Sequence, residues 1–177
     1  MYGIDLLVKE HRNIINFTNI LEVQCMKIID EGQVDVDFFR KSIEFIRVYA
    51  DGHHHKKEED ILFKFMLEEL GPIGEKLVRN GMLVEHSLAR GTTMFLEEFV
   101  NKYEKDPSTY NKLHIIGHSM TYINLLRRHI EAEDTVAYTF AENNLKKSTI
   151  EEINELIREF ESNTNIDSFE RFKDFML

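Results

Sequence analysis

Apolar residues recur every three or four positions along almost the whole chain, the spacing of helices that each bury one face. On the first stretch, about residues 3–30, Ile4, Leu7, His11, Ile14, Ile15, Thr18, Cys25 and Ile29 share one side. The EGQVDVD segment breaks it. A second helix is predicted over about 36–69, stopped by Gly71-Pro72. A third, kinked at Gly81, runs to about 105. Asp106-Pro107 reads as an N-cap with proline at the first helical position, opening a fourth helix over about 107–146. Ser148-Thr-Ile-Glu151 reads as a capping box for a short helix to about 161, and IDSFERFKDFML is a last amphipathic piece. Nothing reads as a strand. The expectation is an all-α, up-down-up-down four-helix bundle over residues 1–146, with two short C-terminal helices over 147–177 packed on it.

The facing of each histidine follows from a turn of about 100° per residue. With His54 at zero, Ile43, Ala50, Ile61 and Glu58 lie within about 40°, while His53 and His55 flank at about 100° on either side. The HHH run thus offers one core histidine and two boundary ones. On the fourth helix, Tyr122, Leu125, Glu133, Val136 and Phe140 lie within about 40° of His129, and Asp134 falls about 140° away. His11 and His86 sit centrally on the apolar faces of the first and third helices. Height is the second test. At about 1.5 Å per residue in an antiparallel bundle, His11, His54, Glu58, His86, His129 and Glu133 all lie roughly 12–25 Å above the end where the chain starts. His118 also faces inward, but about 40 Å up.

Composition narrows the function. A net charge of −10 argues against nucleic acid, which needs a basic patch, and against an anionic membrane surface. No apolar run approaches a membrane span and the N-terminus has no signal-peptide pattern, so the expected address is the cytoplasm. A single cysteine excludes an internal disulfide and a thiolate-rich metal site.

Six ionisable groups in one core layer need a compensating charge, and a pair of metal ions supplies it. His-x-x-x-Glu sets an imidazole and a carboxylate one turn apart on one face. It occurs at His54–Glu58 and again at His129–Glu133. Each carboxylate can bridge two ions while its histidine holds one, and His11 and His86 add an imidazole each. Nitrogen and oxygen donors alone fit Fe, Mn, Zn or Co. The expected ligands are His11, His54, Glu58, His86, His129 and Glu133. Positions left open on the ions suit water, O2, NO or peroxide. Ferritin-like di-iron bundles need Glu-x-x-His, which does not occur here.

With these motifs the sequence resembles the haemerythrin-like proteins with an HHE cation-binding domain, over about residues 4–145. YADGHHHKKEEDILF is its strongest piece, and LLVKEHR, VEHSLARG and RRHIEAEDTVAY match in order and spacing. The resemblance implies a non-haem site of two iron ions on the same six residues. The donor set leaves zinc or manganese as other occupants, and a bundle with a structural zinc site is a weaker alternative. Oxygen-carrying members have a second histidine one turn after the third-helix ligand, where this chain has Arg90. They also use an aspartate five residues after the last histidine. Asp134 has that spacing, but Glu133 has the better facing. A missing fifth histidine leaves one iron more open. That fits a protein that senses, stores or scavenges O2, NO or peroxide, or a di-iron oxidoreductase with an external electron donor, better than a reversible carrier. Arg90 can face the cavity edge and pair with Glu58, Glu133 or a bound anion.

Plainer roles account for the remaining residues. His114 and His118 read as core histidines, Cys25 as an inert core thiol, Tyr122 as a core tyrosine, and Met66, Met82, Met94 and Met120 as packing. Phe169, Phe172 and Phe175 are expected to be exposed, where they offer a contact for a homodimer.

Overall fold

The computed structural model describes residues 1–164 and 169–176. Among these there is no strand, and the chain forms four long helical rods and a shorter fifth. The first helix is Tyr2–Glu31. The second starts at Val36, where Asp35 caps it by accepting from the Phe38 N–H at 2.9 Å, and continues to Glu69. Gly71 then turns the chain at φ 58°, a conformation that favours glycine, and Pro72 occupies the first turn of the third helix, which ends at Lys105. The fourth runs from Thr109 to Asn144 and the fifth over Lys147–Asn163.

Two helix starts differ from the sequence reading. Asp106 ends the third helix, and Ser108 caps the fourth by accepting from the Asn111 N–H. The capping box at Ser148 does not form. The helix has already begun at Lys147, and Thr149 donates its hydroxyl to Glu69 on the second helix at 2.5 Å.

The rods alternate in direction. Along the first and fourth helices, Met1 meets Glu142, His11 meets Asp134, and Glu22 meets Arg127. Along the second and third, Arg40 meets Glu104, Arg47 meets Glu97, and Asp51 meets Arg90. This is the up-down-up-down bundle.

Three of the four long rods are not α-helical throughout. Wider π turns occupy Ile46–His55 and Glu58–Leu62 in the second helix, Val78–Met82 in the third, and Glu133–Ala137 in the fourth. The third-helix irregularity coincides with the kink expected at Gly81. Each π turn takes in one residue more than an α turn, so the face presented to the core rotates beyond it. Val136, expected inside, is half-exposed for this reason, while Ala137, Tyr138 and Ala141 are buried. Ile29 and Met94, read as inward and packing, are both exposed.

The apolar core is in two blocks. One contains Ile14, Phe17, Leu21, Phe39, Phe45, Leu96, Phe99, Ile115 and Tyr122. The other contains Ile4, Leu7, Leu62, Phe63, Met66, Val78 and Tyr138, and the fifth helix joins it through Ile153 and Ile157. The final aromatics do not stand in solvent. Phe172 is buried edge-on to Phe45 at 5.3 Å, and Phe175 and Phe169 pack beside Phe38 and Tyr49. The surface expected for a homodimer is therefore folded onto the chain's own bundle. Ile166, Asp167, Ser168 and Leu177 of that tail lie outside the described residues. No helix among the described residues is long and apolar enough to cross a membrane.

Candidate metal centre

Between the two apolar blocks lies a layer of buried imidazoles and carboxylates. His11, His54, Glu58 and Glu133 each bring a ligand atom within 4.8 Å of the others, and His55, His86 and His129 do the same beside them. All seven residues are buried, with Glu58, His86 and Glu133 fully so. The six residues expected from the sequence therefore come together, and His55 joins them.

Ideal helical geometry leaves His55 at the boundary, about 100° from His54. Glu58 lies between the two on the helical wheel, about 40° from His54 and about 60° from His55. The second helix thus faces the layer through Glu58. His54 points toward the first helix, its ring 4.5 Å from that of His11, and His55 toward the third, its ring 3.8 Å from that of His86. Both histidines belong to the π segment Ile46–His55. At Gly52, inside that segment, an added Cβ would lie 2.9 Å from the Arg47 carbonyl oxygen, so the absence of a side chain permits this backbone.

Each inward histidine is held from behind by a carboxylate on its Nδ1. Asp134 contacts His11 at 2.7 Å, Glu10 contacts His54 at 2.9 Å, and Asp51 contacts His55 at 3.3 Å. Glu59 contacts His86 at 2.7 Å and Glu85 contacts His129 at 2.9 Å. A carboxylate accepting from Nδ1–H fixes the tautomer with a free lone pair on Nε2, the arrangement that prepares histidine for a metal. The Nε2 atoms turn inward. Those of His86 and His129 are 3.0 Å apart, and those of His11 and His129 lie 3.3 and 3.2 Å from Glu133 Oε2.

A cation fits this arrangement. With both Nδ1 atoms protonated, neutral His86 and His129 point lone pairs at each other. His54 Nε2, Glu58 Oε2 and both oxygens of Glu133 are buried with no hydrogen-bond partner among the described residues. Such groups are costly to desolvate unless they are neutralised.

Without metal the layer redistributes protons. Burial, then the negative charge of Glu133, pushes the Glu58 carboxyl well above the usual range. Burial alone would raise Glu133 too, but His129, His11 and His86 outweigh it and hold that carboxyl well below its usual range. His11 rises to about 10, because Asp134 and Glu133 overcome the opposing effect of burial. Burial and the neighbouring His11 lower His54 to about 4. A metal displaces such protons on binding.

Two side chains in or around the layer differ from, or escaped, the sequence reading. Arg90 does not reach Glu58 or Glu133. It is partly exposed and clamps Asp51 and Glu59, the carboxylates behind His55 and His86, at 2.7–2.8 Å. Tyr138 is fully buried, donates its hydroxyl to Glu58 Oε1 at 2.5 Å, and stacks on His11 at 5.5 Å. An α-helix would set Tyr138, nine residues after His129, about 180° away from it; the π turn at Glu133–Ala137 brings it round. His53, as expected, lies off the centre. His114 and His118 are half-buried and stack on Phe99 rather than joining the layer.

No curated protein and no solved structure matches the chain. The model of the Hemerythrin HHE cation binding domain matches residues 2–141, which takes in all seven inward residues. With a helical bundle around a layer whose donors are spaced as a metal ion would need, the chain belongs to the hemerythrin HHE cation-binding family.

Proposed function

We propose that this protein binds two iron ions on His11, His54, His55, Glu58, His86, His129 and Glu133, and that the iron pair engages O2, NO or peroxide as a sensor, store or scavenger. The carrying observation is the pairing of orphaned inward atoms with buttressed outward ones. His55, His86 and His129 converge on one side of the layer and His11 and His54 on the other, with Glu58 and Glu133 among them. When bound, the iron pair supplies electron transfer to, and coordination of, a small ligand. The side with two imidazoles is the more open one.

The chain's own residues do the rest. The outer carboxylates orient the imidazoles. Tyr138 holds Glu58 by its hydroxyl and stands beside His11, so it fixes the carboxylate on the side of the layer with two imidazoles. The two apolar blocks keep bulk water from the layer. A cleft of about 210 Å³, lined by Ile46, Ala50, Ala89 and Tyr122 and also by Arg47, Asp51 and Arg90, borders the layer at His55, on the side with three imidazoles. His55 provides a fifth imidazole although position 90 is arginine. Arg90 therefore gives no ground for preferring oxidation over reversible oxygen binding. In this proposal residues 1–146 form the metal-binding unit and 147–177 an extension packed on it, acting in the cytoplasm.

The test is metal analysis and optical spectroscopy of protein purified anaerobically, loaded with iron and then exposed to O2 or NO. Near-ultraviolet charge-transfer bands that respond to these ligands are expected. A folded protein that takes up no iron, or whose iron spectrum ignores both gases, defeats the proposal.

A further inference from the structure

A second polar cluster lies behind His54. Lys57, the residue before Glu58, is completely buried. Its ammonium touches Glu10, lies 3.0 Å from His53 Nε2, and donates to Glu161 Oε1 at 2.6 Å. Glu161 also approaches His53 Nε2 at 3.2 Å. Glu10, His53 and Glu161 together have the donor spacing of a cation site, and Lys57 is the cation that fills it. Glu10 reaches the metal layer as well, since its other oxygen accepts from His54 Nδ1 at 2.9 Å. A continuous chain of contacts therefore runs from Glu161 through Lys57 and Glu10 to His54. Glu161 lies on the fifth helix, beyond the 2–141 segment that matches the family model.

We propose that Glu161 is a positioning residue through which the C-terminal extension tunes the metal centre. This rests on the reading that His54 holds iron. Shared between two carboxylates, the Lys57 ammonium withdraws less charge from Glu10 than it would from Glu10 alone. Glu10 then remains a strong acceptor for His54 Nδ1–H and keeps His54 electron-rich at Nε2. A more electron-rich ligand, with one more negative charge nearby, favours ferric over ferrous iron. Removing the charge of Glu161 acts in the opposite direction through both routes.

The experiment uses the full chain loaded with iron and compares wild type, Glu161→Gln and Glu159→Gln by redox titration followed optically. Glu159 is exposed on the same helix, so its replacement makes the same charge change outside the chain of contacts. In Glu161→Gln the ratio of ferric to ferrous affinity is expected to fall about threefold, less than the roughly 10–100-fold in metal affinity that direct outer partners of ligands contribute, because Glu161 acts through Lys57 and Glu10. That appears as a positive shift of the midpoint, with iron content and circular dichroism unchanged. Glu159→Gln should match wild type. If wild type holds iron and Glu161→Gln titrates like wild type, or both variants shift equally, the assignment to Glu161 is wrong. A wild type that holds no iron overturns the ligand reading instead.

Discussion

The rings of His55 and His86 lie face to face, 3.8 Å between centroids and 13° from parallel. Residues so close, one from the second helix and one from the third, serve the same ion or hinder each other. His55→Ala is therefore expected to lose about one of the two iron ions per chain at saturating iron, as His86→Ala should. His53→Ala, whose imidazole faces Glu10 and Glu161, should keep both. Iron-to-protein ratios settle it. Full retention in His55→Ala would restore the boundary role that simple helical geometry gave this residue.

Iron should stabilise the fold. Seven buried donors, several with no partner, gain one when metal binds, and a ligand present at about 1,000 times its Kd adds about 4 kcal/mol. Thermal melts of iron-loaded and chelator-stripped protein should differ by several degrees at least. Coincident melts would mean that the layer is already satisfied without metal.

Tyr138→Phe keeps the ring that stacks on His11 and removes the donor to Glu58. The fold should survive. Iron affinity should drop by roughly 10-fold, within the usual effect of an outer hydrogen bond, and the charge-transfer bands should move. An unchanged spectrum and affinity would show that Glu58 does not need this hydroxyl.

Gly52→Ala places a methyl group against the Arg47 carbonyl inside the π segment. Backbone has to yield, so a loss of about 1–3 kcal/mol is expected, as for other overpacked sites. Iron should be lost preferentially from the side that includes His55. Denaturant melts and iron stoichiometry on the same samples test both halves of this statement.

Helical periodicity made the four rods legible, because the amphipathic pattern is long and the breaks at residues 31–37 and at Gly71-Pro72 are chemically plain. The convergence of six buried residues was also legible: His-x-x-x-Glu fixes His54 with Glu58 and His129 with Glu133 on one face each, and His11 and His86 sit centrally on the apolar faces of their helices. What escaped was phase. An ideal α-helix puts Val136 inside and Tyr138 outside, and the π turn at Glu133–Ala137 reverses both. No residue type marks such a turn from sequence alone. His55 was recoverable: centring the second helix on Glu58 instead of His54 would have shown two adjacent histidines straddling one face. Lys57 was not, because a lysine that faces a core is read as solvent-exposed until its partners, Glu10 and Glu161, are known to come from other helices.

The division of the apolar core into two blocks has a consequence for how the molecule is held together. Each block is a contiguous apolar cluster spanning several helices, and what joins them across the bundle is a plane of imidazoles and carboxylates. That plane is the seam of the core, because its buried atoms at His54, Glu58 and Glu133 have no hydrogen-bond partner among the described residues while the blocks on either side are apolar throughout. An ion held there would act as a rivet, since its bonds would tie the helices of both blocks together at the layer where the apolar packing is interrupted.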